Sequence, residues 1–252
     1  MKRTRATAVA AAVLLSACTA AAKRVGNQVL PSVSPSGQAF TYVAVGASET
    51  AGVGATDPPT QAWPAVFYRI ALPRAAVYVN LGIPGATVAD ALAREVPEAL
   101  SERPTLVTVF LNANDAGAGV PVAVYQDGLT TLLRRLRQDG RAEVLVANMP
   151  PLQELPAFTA CAPFAPDPNA GCDTSARADP NDVADLVDRY NRAIGDAAAA
   201  TGARVVDVYS LALAKVRNGT AASFLASDGF HPNTAGHREL AEAFAEAFRA
   251  GR

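Results

Sequence analysis

Five short runs of consecutive apolar residues, rich in β-branched side chains, recur along the chain: FTYVAVG from Phe40, AAVYVNLG from Ala75, LVTVFLN from Leu106, AEVLVANMP from Ala142 and ARVVDVYS from Ala203. A half-exposed strand alternates apolar with polar residues. These runs are apolar at successive positions instead, which predicts strands covered on both faces. Between them the period lengthens. Leu129, Leu132, Leu133 and Leu136 draw one helical stripe, Val183, Leu186, Val187, Tyr190 and Ile194 a second, and Leu240, Phe244 and Phe248 a third. Strands alternating with helices predict an α/β fold with a five-stranded parallel sheet, right-handed crossovers and helices on both sides. Sites in such folds sit beyond the C-terminal ends of the strands, so the residues after each run are the first candidates for chemistry.

The N-terminus departs from this pattern. Lys2, Arg3 and Arg5 precede an apolar stretch, Ala6 to Ala17, that is too short for an ordinary spanning helix, so residues 1–17 read as a secretory signal. The stretch ends in Leu15-Ser16-Ala17-Cys18, which resembles a bacterial lipobox. That resemblance implies that Cys18 is lipidated, begins the mature protein and anchors it to a membrane of the bacterial cell envelope. Residues 18–38, with Ser, Pro and Gly and no period, are expected to be a flexible tether, and residues 39–252 the folded domain.

Composition narrows the partners. Half the residues are apolar and 18% charged, which suits a globular domain with a sizeable core. The net charge is −1 and no basic run occurs, so nucleic acid is excluded as an expected partner. Loss of residues 1–17 removes three basic residues and no acidic ones, leaving −4. An exported chain meets an oxidising compartment, so Cys161 and Cys172 are expected to be disulfide-bonded; no histidine lies near them to suggest zinc. Both sit in the connection from Pro150 to Asp179, which is too long for a plain loop and leaves the end of the fourth run. It is expected to overhang the site.

The first run ends in TYVAVGASETAGVGATDPP, where Ser48 follows the strand. A serine there is either a turn residue or a nucleophile, and a nucleophile needs a base, an orienting carboxylate and an oxyanion hole. The chain has two histidines. His231 lies in SDGFHPN, where Asp228, three residues upstream in a turn set by Gly229 and Pro232, can accept the imidazole Nδ1 proton and leave Nε2 to face a serine. His237, in the first turn of the last helix, is expected to be a packing or solvated residue. Gly85 in VNLGIPGATV follows the second strand at the start of a helix, where a free N–H and the helix dipole favour negative charge. Asn114 in VFLNAND follows the third, with a side-chain amide able to donate.

Serine, glycine, asparagine and histidine in this order at four strand ends resemble the SGNH hydrolases, also called GDSL esterases and lipases, over nearly the whole domain. The resemblance implies a flavodoxin-like three-layer α/β/α sandwich. It also implies Ser48 as nucleophile, Asp228 and His231 as its triad partners, and the Ser48 N–H, Gly85 and Asn114 as the oxyanion hole. The activity implied is that of a serine esterase, acting on small-molecule, lipid or carbohydrate esters through an acyl-enzyme on Ser48, without metal or organic cofactor. Small residues beside Ser48 and the lack of a long apolar lid point to small or medium acyl groups. Two positions depart from the family pattern. Ala47 replaces the aspartate of Gly-Asp-Ser, and Asn112 replaces the glycine of Gly-x-Asn-Asp and adds bulk near the site. These departures keep open the alternative of a ligand-binding lipoprotein with little turnover.

Overall fold

The computed structural model describes residues 40–160 and 178–252. Cys18, Cys161 and Cys172 lie outside these residues, as do the signal and tether segments. Five strands, β1 (Thr41–Gly46), β2 (Val77–Asn80), β3 (Leu106–Phe110), β4 (Glu143–Ala147) and β5 (Arg204–Val206), form one sheet in the order β2-β1-β3-β4-β5. Every pairing is parallel. This is the flavodoxin-like order. It turns back at β1, which has β2 on one side and β3 on the other, and so opens a crevice at the carboxyl ends of β1 and β3.

Strand side chains alternate between two cores. Val43, Val45, Val107, Val109, Val144 and Val146 face one core, with the buried stripes of helices Val122–Arg137 and Pro180–Thr201. Tyr42, Ala44, Leu106, Phe110, Leu145 and Ala147 face the other, with helices Trp63–Ala71 and Thr234–Ala250. Both faces are therefore covered, the physical reason why the runs are apolar throughout. The edges are not: Val77 is 45% exposed and Val205 39%.

The fifth run breaks earlier than its composition predicts. β5 stops at Val206, and the Asp207 carboxylate caps helix Val208–Arg217 by accepting the Ser210 N–H at 3.0 Å.

Helix–helix packing on the second face brings distant segments together. Helix Trp63–Ala71 follows the Ser48 segment and helix Thr234–Ala250 follows the His231 segment. Trp63 and Phe244 stack with ring centroids 4.0 Å apart, a contact worth about 0.5–1.5 kcal/mol beyond its area burial. His237 is fully buried in the same place. Its Nδ1 accepts from the Trp63 N–H at 3.3 Å and its Nε2 donates to the Val53 carbonyl at 3.0 Å. It is a packing residue that ties the Ser48 loop to the last helix.

Candidate active site

β1 ends at Gly46, and the chain turns through Ala47 into a single helical turn, Ser48–Ala51, that starts with Ser48. A first-turn N–H has no acceptor within its helix, and the Ser48 N–H has no partner among the described residues. The loop that follows is pressed onto the His231 segment. Gly54 has φ +95°, and a Cβ there would lie 2.2 Å from the Pro232 carbonyl oxygen, so only glycine permits this approach.

The His231 turn is built by Asp228. One carboxylate oxygen accepts the N–H groups of Phe230 and His231, each at 2.9 Å, and the other meets His231 Nδ1 at 2.6 Å. Asp228 does not cap the helix that follows; Asn233 does, accepting from Ala235 and Gly236. Partial burial raises the Asp228 carboxyl, but hydrogen bonds from the His231 ring and the two N–H groups outweigh it and hold the group below the usual range. Ionised Asp228 fixes the tautomer with the proton on Nδ1. Nε2 is then an acceptor with no protein partner among the described residues.

Ser48 is not hydrogen-bonded to His231. Its hydroxyl donates to Glu49 Oε2 at 3.2 Å. Burial raises the Glu49 carboxyl, and its own N–H, nearby His231 and the Ser48 hydroxyl partly offset this, so Ser48, Glu49, Asp228 and His231 form one electrostatic cluster. Nothing in GASET signals where the Glu49 carboxylate turns.

Gly85 sits differently from its expected place. It lies in a turn closed by the Ala86 N–H and the Ile83 carbonyl at 3.0 Å, with φ +82°, ahead of helix Val88–Ala93. Its N–H has no partner among the described residues, and it lies ahead of the helix, whose N-cap is Thr87. The helix start is already occupied: the Val88 N–H donates to both oxygens of Asp115 at 3.1 Å. Asn114 Nδ2 donates to the Ala86 carbonyl at 3.0 Å, which orients the amide and leaves its second N–H available. The Asp115 and Asn114 bonds together lock the β3 loop to the Gly85 turn. The Pro150 connection, in its described part, packs on the His231 turn: the Ala157 N–H donates to the Gly229 carbonyl at 3.2 Å.

A hydroxyl, a carboxylate-backed imidazole and three donors at the carboxyl ends of β1, β2 and β3 can support acyl transfer. The model of the GDSL-like lipase/acylhydrolase family matches residues 44–239. The chain belongs to this family. It is accordingly an ester-bond hydrolase. Among solved structures it is similar to TesA, at 25% identity over 83% of this chain and 98% of that one, with a TM-score of 0.62. The lipase/acylhydrolase from Enterococcus faecalis is 22% identical over 84% and 96%, at 0.61. Phospholipase A1 from Streptomyces albidoflavus NA297 is 18% identical over 85% and 100%, at 0.58. No curated protein matches the sequence.

In this GDSL-like hydrolase the loss of the family aspartate at Ala47 is accompanied by a carboxylate from elsewhere. Glu95, 1% exposed, accepts the Gly46 N–H at 2.7 Å and so props the end of β1. Its signal was present in VADALAREVPEAL, where an acid interrupts the apolar stripe of Val88, Ala91, Val96 and Ala99. Burial raises its carboxyl to about 7 against the Gly46 bond that lowers it. Between the unfolded value near 4.5 and about 7 the folded protein binds more protons than the unfolded one, so this group's contribution to stability is lost as pH rises. Glu95→Gln keeps an acceptor for Gly46 without the charge. The variant should match wild type at pH 5 and exceed it by about 3 kcal/mol at pH 8 in denaturant unfolding. An unchanged difference between the two pH values would show that Glu95 ionises freely.

Proposed function

We infer that this hydrolase is an exported, lipid-anchored serine esterase acting on carboxylic esters of small or medium acyl groups. The observation that carries the catalytic part is the 2.6 Å Asp228–His231 pair, with Nε2 unpartnered among the described residues, near a serine at the carboxyl edge of the sheet. In this reading the Ser48 hydroxyl exchanges its bond to Glu49 for one to His231 and attacks the ester carbonyl carbon while Nε2 takes its proton. The oxyanion accepts from the Ser48 and Gly85 N–H groups and Asn114 Nδ2. Collapse breaks the bond to the alcohol oxygen, which receives the proton from His231. Water, deprotonated by the same nitrogen, then attacks the acyl-Ser48 carbonyl; collapse breaks the bond to Ser48 Oγ, which takes the proton back from His231, and the carboxylic acid is released. The anchor rests on the basic start, the apolar stretch and Leu15-Ser16-Ala17-Cys18.

One experiment addresses both parts. A fluorophosphonate probe applied to the full chain exported from a bacterial host should modify Ser48 alone, on protein in the membrane fraction. Cys18→Ser should move the labelled protein to the soluble fraction or leave it unprocessed. Modification of a different residue would overturn the nucleophile, and membrane retention of normally matured Cys18→Ser would overturn the anchor.

A further inference from the structure

The chain enters the domain at Phe40, at the amino edge of the sheet, and the contacts around Phe40 join three segments into one surface. Its carbonyl accepts the Val77 N–H at 2.8 Å, where β2 starts. Arg252 lies over its ring, 5.8 Å from the centroid, and over that of Phe248 at 4.1 Å. Arg249, in the last turn of helix Thr234–Ala250, donates to the Ile70 carbonyl at 3.4 Å. Tyr68 stacks on Tyr78 at 5.3 Å, which ties the end of helix Trp63–Ala71 to β2. Arg69, Arg74, Arg249 and Arg252 are exposed on this surface, as are the apolar side chains of Ile70 and Val77. Residues 58–79 and 247–252 contain no acid.

Cations in the last turns of helices complement the helix dipole, which accounts for Arg69 and Arg249. It does not account for Arg74 and Arg252, which lie past the helix ends, or for exposed Ile70 and Val77 among them. Guanidinium groups interleaved with apolar side chains suit an anionic bilayer, where cations meet lipid phosphates and apolar groups meet the acyl boundary. The other edge has the opposite sign: Asp57, Asp179, Asp207 and Asp228 are exposed at the carboxyl ends of the strands, the first three capping helix starts. An anionic surface therefore attracts one end of the domain and repels the other.

A lipid on Cys18 would stand 22 residues before Phe40, a connection that reaches roughly 70–80 Å when extended and by itself sets no orientation. Between the two, Lys23 and Arg24 add positive charge and no acid opposes it. We propose that the Phe40 face docks the domain on anionic lipid of the membrane that holds its anchor, and turns the active site toward the aqueous side. β1 spans six residues, so the Ser48 edge lies about 20 Å from that face. Lipids of the anchoring bilayer are then out of reach, and the substrates are esters that arrive from the aqueous side. The inference rests on the lipid-anchored esterase reading above.

The test places the lipidated full chain in phosphatidylglycerol and in phosphatidylcholine vesicles, so that the anchor is common and only the surface charge differs. Amide hydrogen exchange is then compared. Residues 69–77 and 249–252 should exchange roughly threefold or more slowly on phosphatidylglycerol, while the His231 turn exchanges alike on both. Sodium chloride at about 0.5 M should erase the difference, because it shortens the reach of charge to a few ångströms. The combined variant Arg69→Gln, Arg74→Gln, Arg249→Gln and Arg252→Gln should erase it too, and a thermal midpoint near that of wild type shows that it is folded. Equal exchange on both lipids, a difference that survives in the variant, or slowing at the His231 turn overturns the proposal and leaves the anchored esterase intact. Slowing that appears without vesicles and grows with protein concentration assigns the face to a second copy and also overturns it. A chain recovered without lipid overturns the anchor alone. The face is then judged by cosedimentation, in which wild type should bind phosphatidylglycerol vesicles at least about tenfold tighter than the combined variant, and equal affinity rejects it.

Discussion

His231→Ala is expected to abolish ester turnover, lowering kcat by roughly 10⁴ to 10⁶-fold, with a thermal midpoint near that of wild type. The His231 ring sits on a partly open turn, and its side-chain hydrogen bonding is to Asp228. Removing it takes away the base and an edge-on contact with Phe230, while Asp228 keeps the Phe230 and His231 N–H groups that hold the turn. Ser48→Ala should fall as far, and Asp228→Asn by about 10⁴, since it holds the ring's shape but not its charge or tautomer. His237→Ala should do the reverse. It empties a fully buried position and leaves the Trp63 N–H and the Val53 carbonyl without their partner, a cost of about 1–3 kcal/mol for each group. Its folded fraction should keep most of the wild-type kcat. The pH dependence of stability separates the two further. Burial lowers the His237 pKa below its ordinary 6.5, more than its bond to Val53 raises it. The unfolded chain therefore binds the proton more readily, and the contribution of His237 is complete above about 6.5 and lost as pH falls through the lower folded value. An acid-side loss of stability that disappears in His237→Ala is the expected signature. Equal losses of kcat from both histidine variants, corrected for the folded fraction, would mean that His231 acts through the fold and not as a base.

The sheet was legible because its physics is local and repeated. β1 and β3 are buried on both faces, and a run such as Tyr42 to Val45 can be uniformly apolar only in that setting. The tail of the fifth run misled because Val208 and Tyr209 have strand-forming side chains while Asp207, three residues before Ser210, is a helix cap; the cap won. Ser48, Gly85, Asn114, Asp228 and His231 could be nominated because each stands at a strand end or in a turn whose residue types restrict its backbone. What holds them was less visible. Asp115 and Glu95 are acids in apolar surroundings, a signal open to pattern reading. The Ser48–Glu49 bond and the unpartnered Asn112 amide depend on side-chain rotamers and on neighbours far along the chain, which no local pattern encodes.

Asn114→Ala is expected to lower kcat by about 10² to 10³, equivalent to roughly 2.7–4 kcal/mol of transition-state stabilisation, with KM little changed. The ground-state carbonyl is a weak acceptor placed short of the donors, and the amide's value appears only as charge gathers on the oxygen. The geometry allows this because one Asn114 N–H is spent on the Ala86 carbonyl and the other is not. The same bond makes the experiment demanding, since alanine also removes a tie between the β3 loop and the Gly85 turn. Asp115 holds those segments independently through the Val88 N–H, so the hole's frame should survive the substitution. Asn114→Asp provides the control. A carboxylate cannot donate to the Ala86 carbonyl, so this variant loses the tie as alanine does, and it also presents negative charge to the developing oxyanion, so its kcat should fall below that of Asn114→Ala. Were Asn114 only a tie between two loops, both variants would instead lose thermal stability and substrate affinity together, and their kcat values would follow the folded fraction. A folded Asn114→Ala with near wild-type kcat would remove the amide from the oxyanion hole and leave the Ser48 and Gly85 N–H groups to stabilise the charge alone.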